Sequence, residues 1–174
     1  GPYSRLTVGC KNTKLPSDLT EIEKEAFSGC TSLTDIKFNN GLQRIGDSAF
    51  LGCTGLNGEI ELPSSVFEIE GKAFSGCENI ESVRILLGKE GEKNHYDGEC
   101  ESKGGCISSG AFEQCPGLKS IEIPADILYM KENIFDGSDN VTILCNRGSR
   151  AREYAYDNNI KYSLLETQEF QKTD

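Results

Sequence analysis

A phenylalanine returns along this chain at Phe27, Phe50, Phe74, Phe112 and Phe135, at spacings of 23, 24, 38 and 23 residues. Each sits in a near copy of one segment. IEKEAFSGCTSLTDIKFNNGL starts at Ile22, IGDSAFLGCTGLNGEIELPSSV at Ile45, IEGKAFSGCENIESVRILLG at Ile69 and ISSGAFEQCPGLKSIEIPADI at Ile107, with a worn copy, MKENIFDGSDNVTILC, from Met130. An apolar residue stands five before each Phe (Ile22, Ile45, Ile69, Ile107, Met130), and Cys stands three after it in four copies (Cys30, Cys53, Cys77, Cys115), with Ser138 in the last. A fixed period of this length marks a repeat array, in which no unit buries its own apolar edge and each is completed by its neighbours.

Within a copy the apolar residues alternate, as in Ile36 and Phe38, Ile60 and Leu62, Val83 and Ile85, Ile121 and Ile123. That is the period of a half-buried strand. The AFxGC segment is too short for an independent helix and reads as one helical turn that docks its Phe inward. Successive strands then pair in parallel at about 4.8 Å. The step from Leu42 to Ile45, and from Val66 to Ile69, predicts a second short extended segment on the far side of each coil. Gly58 adds a residue to the second copy and predicts a bulge there.

The repeat I-x-x-x-A-F-x-G-C-x-x-L-x-x-I-x-L-P resembles the BspA-like leucine-rich repeat, over about Leu6 to Leu165. The positions where leucine-rich repeats commonly carry Asn or Cys hold Gly41, Ser65, Gly88 and Asp126 here, so the usual Asn ladder is absent. The resemblance implies an α/β solenoid: a right-handed leucine-rich-repeat coil with short parallel strands on one face, short helical turns or irregular segments on the other, and a C-terminal cap. It also implies a non-enzymatic recognition array on a surface or secreted protein, with adhesion to host or neighbouring-cell proteins as the usual role.

The chain divides into a partial first repeat with an N-terminal strand (1–21), repeats (22–147) with an insertion at 88–106, a cap (148–165) and a polar tail (166–174). Leu6, Val8 and Cys10 alternate ahead of Pro16, so the chain is expected to begin mid-repeat, either cut from a longer array or as a degenerate starting coil. Gly1-Pro2 reads as the remnant of a cleaved tag, and the lack of a visible leader therefore carries no weight. In the cap, Ser149 is placed to N-cap a helix over Ala151 to Asp157, and Ile160, Tyr162 and Leu164 alternate as a final strand.

Eight cysteines invite a disulfide reading. The four repeat cysteines share one inward site with parallel side chains, which is poor disulfide geometry, and are expected to be reduced. Cys10 and Cys145 lie several coils apart. Cys100 and Cys106 fall in the insertion, six residues apart, and can close a small ring. The insertion, GKEGEKNHYDGECESKGGC, is rich in Gly, Lys and Glu and reads as a solvated loop carrying His95, Tyr96 and Asp97 as candidate binding residues. His95, Asp97, Cys100 and Cys106 are zinc-type ligands, but their spacing matches no zinc framework. Asp97, Glu99 and Glu101 lack the calcium-loop pattern. No metal or cofactor is assigned.

A net charge of −10 argues against nucleic acid or an anionic membrane as partner, and no apolar run is long enough to span a bilayer. No catalytic motif is present, and Glu59 and Glu61 read as the solvated side of a strand rather than as an acid and base. The outward strand positions form the candidate ligand face: Asp35, Lys37 and Asn39; Glu59 and Glu61; Ser82, Arg84 and Leu86; Ser120 and Glu122. Together with the insertion they suit a protein ligand, on a monomeric module at the cell surface or secreted. The alternative is a structural spacer that carries another domain of a longer polypeptide.

Overall fold

The structure is a computed structural model that describes residues 13–94 and 103–165. The expected alternation folds into two parallel ladders. One runs through β5 (Gly58–Leu62), β7 (Ile80–Ile85), β9 (Ser120–Glu122), β11 (Thr142–Cys145) and β12 (Lys161–Leu164). The other takes the far side of each coil and runs through β2 (Glu21–Ile22), β4 (Arg44–Ile45), β6 (Glu68–Ile69), β8 (Gly105–Ile107) and β10 (Ile127–Met130). A separate pair joins β1 (Thr13–Lys14) to β3 (Ile36–Lys37). The strand read at Leu6, Val8 and Cys10 lies outside the described residues.

Register is locked residue for residue. Ile60 pairs with Val83, Val83 with Ile121, and Ile121 with Ile143. In the other ladder Ile22 pairs with Ile45, Ile45 with Ile69, and Ile69 with Ile107. A one-residue slip would turn each of these apolar rows outward, so the pattern fixes the pairing. A register shift does fall beside Gly58, whose φ is +70°, but the unpaired residue is Glu81 on β7: Gly58 pairs with Ile80 and Glu59 with Ser82.

Between the two ladders the phenylalanine rings form a column. Phe27, Phe50, Phe74 and Phe112 stack with centroids 5.1, 5.1 and 5.3 Å apart, and Phe135 continues at 6.1 Å. All five are buried. Burying each such ring contributes about 1.5–3 kcal/mol, which makes the column the largest repeated apolar element of the core.

The turn side has its own coil-to-coil ladder. Alternate amides stay within the coil: Ala26 N donates to Glu23 O, Ser28 N to Glu25 O and Cys30 N to Phe27 O. The amides between them reach the next coil: Glu25 N donates to Asp47 O, Phe27 N to Ala49 O and Gly29 N to Leu51 O. The same triplet recurs from Ser48, Phe50 and Gly52, and again from Lys72, Phe74 and Gly76. This alternation needs a left-handed residue two before and two after each Phe. Gly fills the later position in four of five copies (φ +72° at Gly29, +68° at Gly52), which is the reason for the G of AFxGC.

The cysteine after each turn closes the same junction. Cys53 Sγ donates to Phe27 O (3.0 Å), Cys77 Sγ to Phe50 O (3.1 Å) and Cys115 Sγ to Phe74 O (3.3 Å). In the worn copy Ser138 Oγ donates to Phe112 O at 2.6 Å. These cysteines are free, as expected, but each is a hydrogen-bond donor and not merely a small apolar filler. Burial pushes the Cys115 thiol up to about 11 and raises that of Cys77 further, so both keep the proton they donate at neutral pH.

Past the last coil, α1 (Arg150–Asp157) begins where Ser149 Oγ accepts from Arg152 N, the N-cap expected from the sequence. Its Tyr154 stands edge-on to Phe135 at 6.4 Å, and Tyr154 Oη accepts from Ile134 N. A tyrosine thus terminates the ring column. β12 follows and pairs along its length with β11.

Candidate interaction surface

Because side chains alternate across a strand, each inward apolar row of the five-stranded ladder is matched by outward rows. In one, Glu59, Ser82, Ser120, Thr142 and Lys161 stand side by side. In the other, Glu61 is followed by Arg84, Glu122, Leu144 and Ser163. Arg84 Nε pairs with Glu122 Oε2 at 2.7 Å. Both the hydrogen bond and the charge of Glu122 raise the arginine's already high pKa. An exposed pair of this kind adds at most about 1 kcal/mol; its consequence is placement, a cation and a carboxylate side by side on an open surface.

The opposite sheet does not offer the same opening. There Glu21, Arg44, Glu68, Cys106 and Tyr129 form the outward row. Arg44 Nε meets Glu68 Oε2 at 2.8 Å with side chains only 19% and 7% exposed, and the guanidinium lies over the Phe67 ring at 5.5 Å. Arg84, by contrast, is 52% exposed.

Three of the expected outward positions differ from the rest. Asn39 does not present its side chain to a ligand: its amide donates to Leu19 O at 2.7 Å and holds the preceding coil. Asp35 and Lys37 are exposed; β3 pairs with β1, and among the described residues no strand pairing joins it to β5.

The insertion is not a simple solvated loop. Lys93 is 2% exposed, and its Nζ donates to Asp126 Oδ2 (2.9 Å) and Leu86 O (2.8 Å). The same Asp126 oxygen accepts from Gly88 N at 2.8 Å. Glu92 accepts from Ser64 Oγ through one oxygen and from Lys89 N through the other. Residues 88–94 are therefore tied to the coils on either side. At the far end Cys106, buried in β8, is disulfide-bonded. Its proposed partner Cys100, with His95, Tyr96 and Asp97, lies outside the described residues.

Asp126 and Ser65 share a role. Ser65 Oγ accepts from Gly41 N, one coil back, and donates to Leu42 O; Asp126 accepts from Gly88 N in the same register. Side-chain bridges thus occupy the positions where the Asn ladder is missing. Lys93 could not be found from its neighbourhood in sequence, because a lysine between Glu and Asn in a Gly- and Glu-rich run carries no mark of burial. The donor role of the cysteines did leave a signal, since Ser replaces Cys at position 138 and keeps a small side chain that can donate.

Parallel strands on both sides of each coil and a stacked Phe column define a leucine-rich-repeat-type solenoid. The family model for the BspA type leucine rich repeat region matches residues 5–94 and 98–171 with six copies, and the chain belongs to that family. Among solved structures it is similar to a leucine-rich repeat protein of T. pallidum, at 25% identity and a TM-score of 0.63 over 78% of this chain and 58% of that one. It is also similar to a leucine-rich cell surface protein of Faecalibacterium prausnitzii A2-165, at 27% identity and a TM-score of 0.65 over 83% of this chain and 34% of that one. The chain thus spans little more than half of the first neighbour and a third of the second. No curated protein sequence matches it. Solenoids of this class commonly serve protein interaction and are generally non-enzymatic. Among the described residues no helix is long and apolar enough to cross a membrane.

Proposed function

We propose that this chain is a protein-recognition module of a cell-surface or secreted protein, acting in attachment to a protein of a host or neighbouring cell. It engages its ligand through the open sheet face built by Glu59, Glu61, Ser82, Arg84, Ser120 and Glu122, with the 88–106 insertion as a second element. The observation that carries this reading is the Arg84–Glu122 pair, open to solvent while its counterpart on the opposite sheet, Arg44–Glu68, is largely covered. An accessible charged row favours a partner of matching charge pattern.

The test is capture of extracellular proteins by the folded chain, compared with the double variant Glu61→Ala/Arg84→Ala. Attachment should fall while the melting temperature stays within about 1–2 °C, since exposed substitutions change stability by about 0.5 kcal/mol or less. Undiminished attachment would move the contact off this face, and a parallel arm lacking the middle of the insertion tests that element. The spacer reading is favoured by one observation, that the neighbours extend well beyond the matched region. It predicts no protein ligand for the isolated chain at all.

A further inference from the structure

We infer that the ligand of the open sheet face is a second copy of this chain, packed face to face about a two-fold axis that runs along the strands between β7 and β9. The inference rests on the reading of that face as the recognition surface and names its partner. A two-fold contact needs a surface that complements itself. With the observed strand order, this axis lays β7 over β9 of the other copy and β5 over its β11. Arg84 then falls on Glu122 of the other copy, and Glu122 on its Arg84.

The strand register decides whether this packing is allowed. Glu61 falls on Leu144, Glu59 on Thr142 and Ser82 on Ser120. Glu81 and Lys119 are both exposed and are set level by the bond from Lys119 N to Glu81 O, so the axis matches them with each other as well. Lys161, on the last strand, falls beyond the β5 edge of the other ladder. No carboxylate meets a carboxylate and no cation a cation. The Arg84–Glu122 contact within each chain, at 2.7 Å, is left in place, so the two pairs close into a ring of alternating charges. An axis through β7 or β9 itself would set Arg84 on Arg84 or Glu122 on Glu122, a costly juxtaposition.

With a net charge of −10, two copies repel at long range. At physiological salt that repulsion is screened beyond about 8 Å, while charges in contact are screened much less. Copies therefore meet best on a face where like charges do not coincide. Five short strands at about 4.8 Å spacing make a patch smaller than a lasting dimer buries. A single contact is weak, and it gains strength where many copies are displayed on opposed surfaces.

The test is self-association of the full chain at physiological salt, by sedimentation equilibrium and by clustering of beads coated with it. The parent's average mass should rise with concentration toward that of two chains, and its beads should cluster. Arg84→Glu and Glu122→Arg each set like charges against one another and should weaken self-association about tenfold or more. Mixing these two variants should restore it, because each supplies the charge the other lacks. Glu61→Arg, which faces Leu144, should not rescue Arg84→Glu. Thermal melts check that the variants remain folded. A parent that stays single and does not cluster, or a mixture that restores nothing, overturns the inference, and so does rescue by Glu61→Arg. If the parent stays single yet Glu61→Ala/Arg84→Ala still lowers capture of extracellular proteins, the face keeps its role and the partner is a different protein.

Discussion

Phe74→Ala should destabilise the chain by about 3–5 kcal/mol, the range for deleting a buried phenyl ring. Phe74 is the middle of the column, with Phe50 at 5.1 Å on one side and Phe112 at 5.3 Å on the other. Removing it leaves a cavity between two rigid coils whose backbones are tied by the Phe74 N to Ala111 O bond, so collapse around the void is restricted. At about 2–4 °C per kcal/mol for a chain of this length, the melting temperature should drop by roughly 6–20 °C. Phe38→Ala supplies the comparison. That ring is only half-buried and touches Phe50 edge-on at 5.8 Å, so its loss should be markedly smaller. Equal effects at the two positions, measured by denaturant unfolding, would remove the column from its place in the account.

The second large effect is expected from Asp126→Ala. The variant leaves the Lys93 ammonium, with its side chain 1% exposed, facing Leu86 O alone. Removing one partner of a buried pair costs about 3–5 kcal/mol, because the other charge is left uncompensated. The value here should lie near the lower end, as Asp126 is itself 24% exposed and water can enter. The loss should appear first as release of residues 88–94, read as faster tryptic cleavage after Lys89 and Lys93, and then in global unfolding. Replacing both partners, Lys93→Met with Asp126→Leu, should recover most of the loss. If Asp126→Ala is cut no faster than the parent, the insertion is not held by this pair.

The repeat was legible because its signals are local and redundant. Five phenylalanines, their preceding small or apolar residues and the following Gly and Cys all agree on one register, and stacking turns that agreement into structure. Ser149 was readable for a similar reason, since an N-cap is set by one residue in a known context. The insertion was not. Lys93 and Asp126 are 33 residues apart, and their pairing depends on a coil-to-coil register that no local pattern encodes. Asn39 misled in the opposite way: it occupies an outward position by parity, yet its amide is drawn to Leu19 O by the turn that follows the strand. The availability of the ligand face was likewise invisible in sequence, because Arg44–Glu68 and Arg84–Glu122 look alike until burial distinguishes them.

The most direct test is native-state hydrogen exchange at the amides of Phe27, Phe50, Phe74 and Phe112. In this structure they donate to Ala49 O, Ala73 O, Ala111 O and Ile134 O at 2.7, 2.7, 2.8 and 3.0 Å. Coils that hold one another on the turn side as well as through their strands require these four amides to exchange as slowly as those of Ile60 and Val83, through global unfolding alone. Exchange at the rate of exposed loop amides would show that the turns are not joined coil to coil.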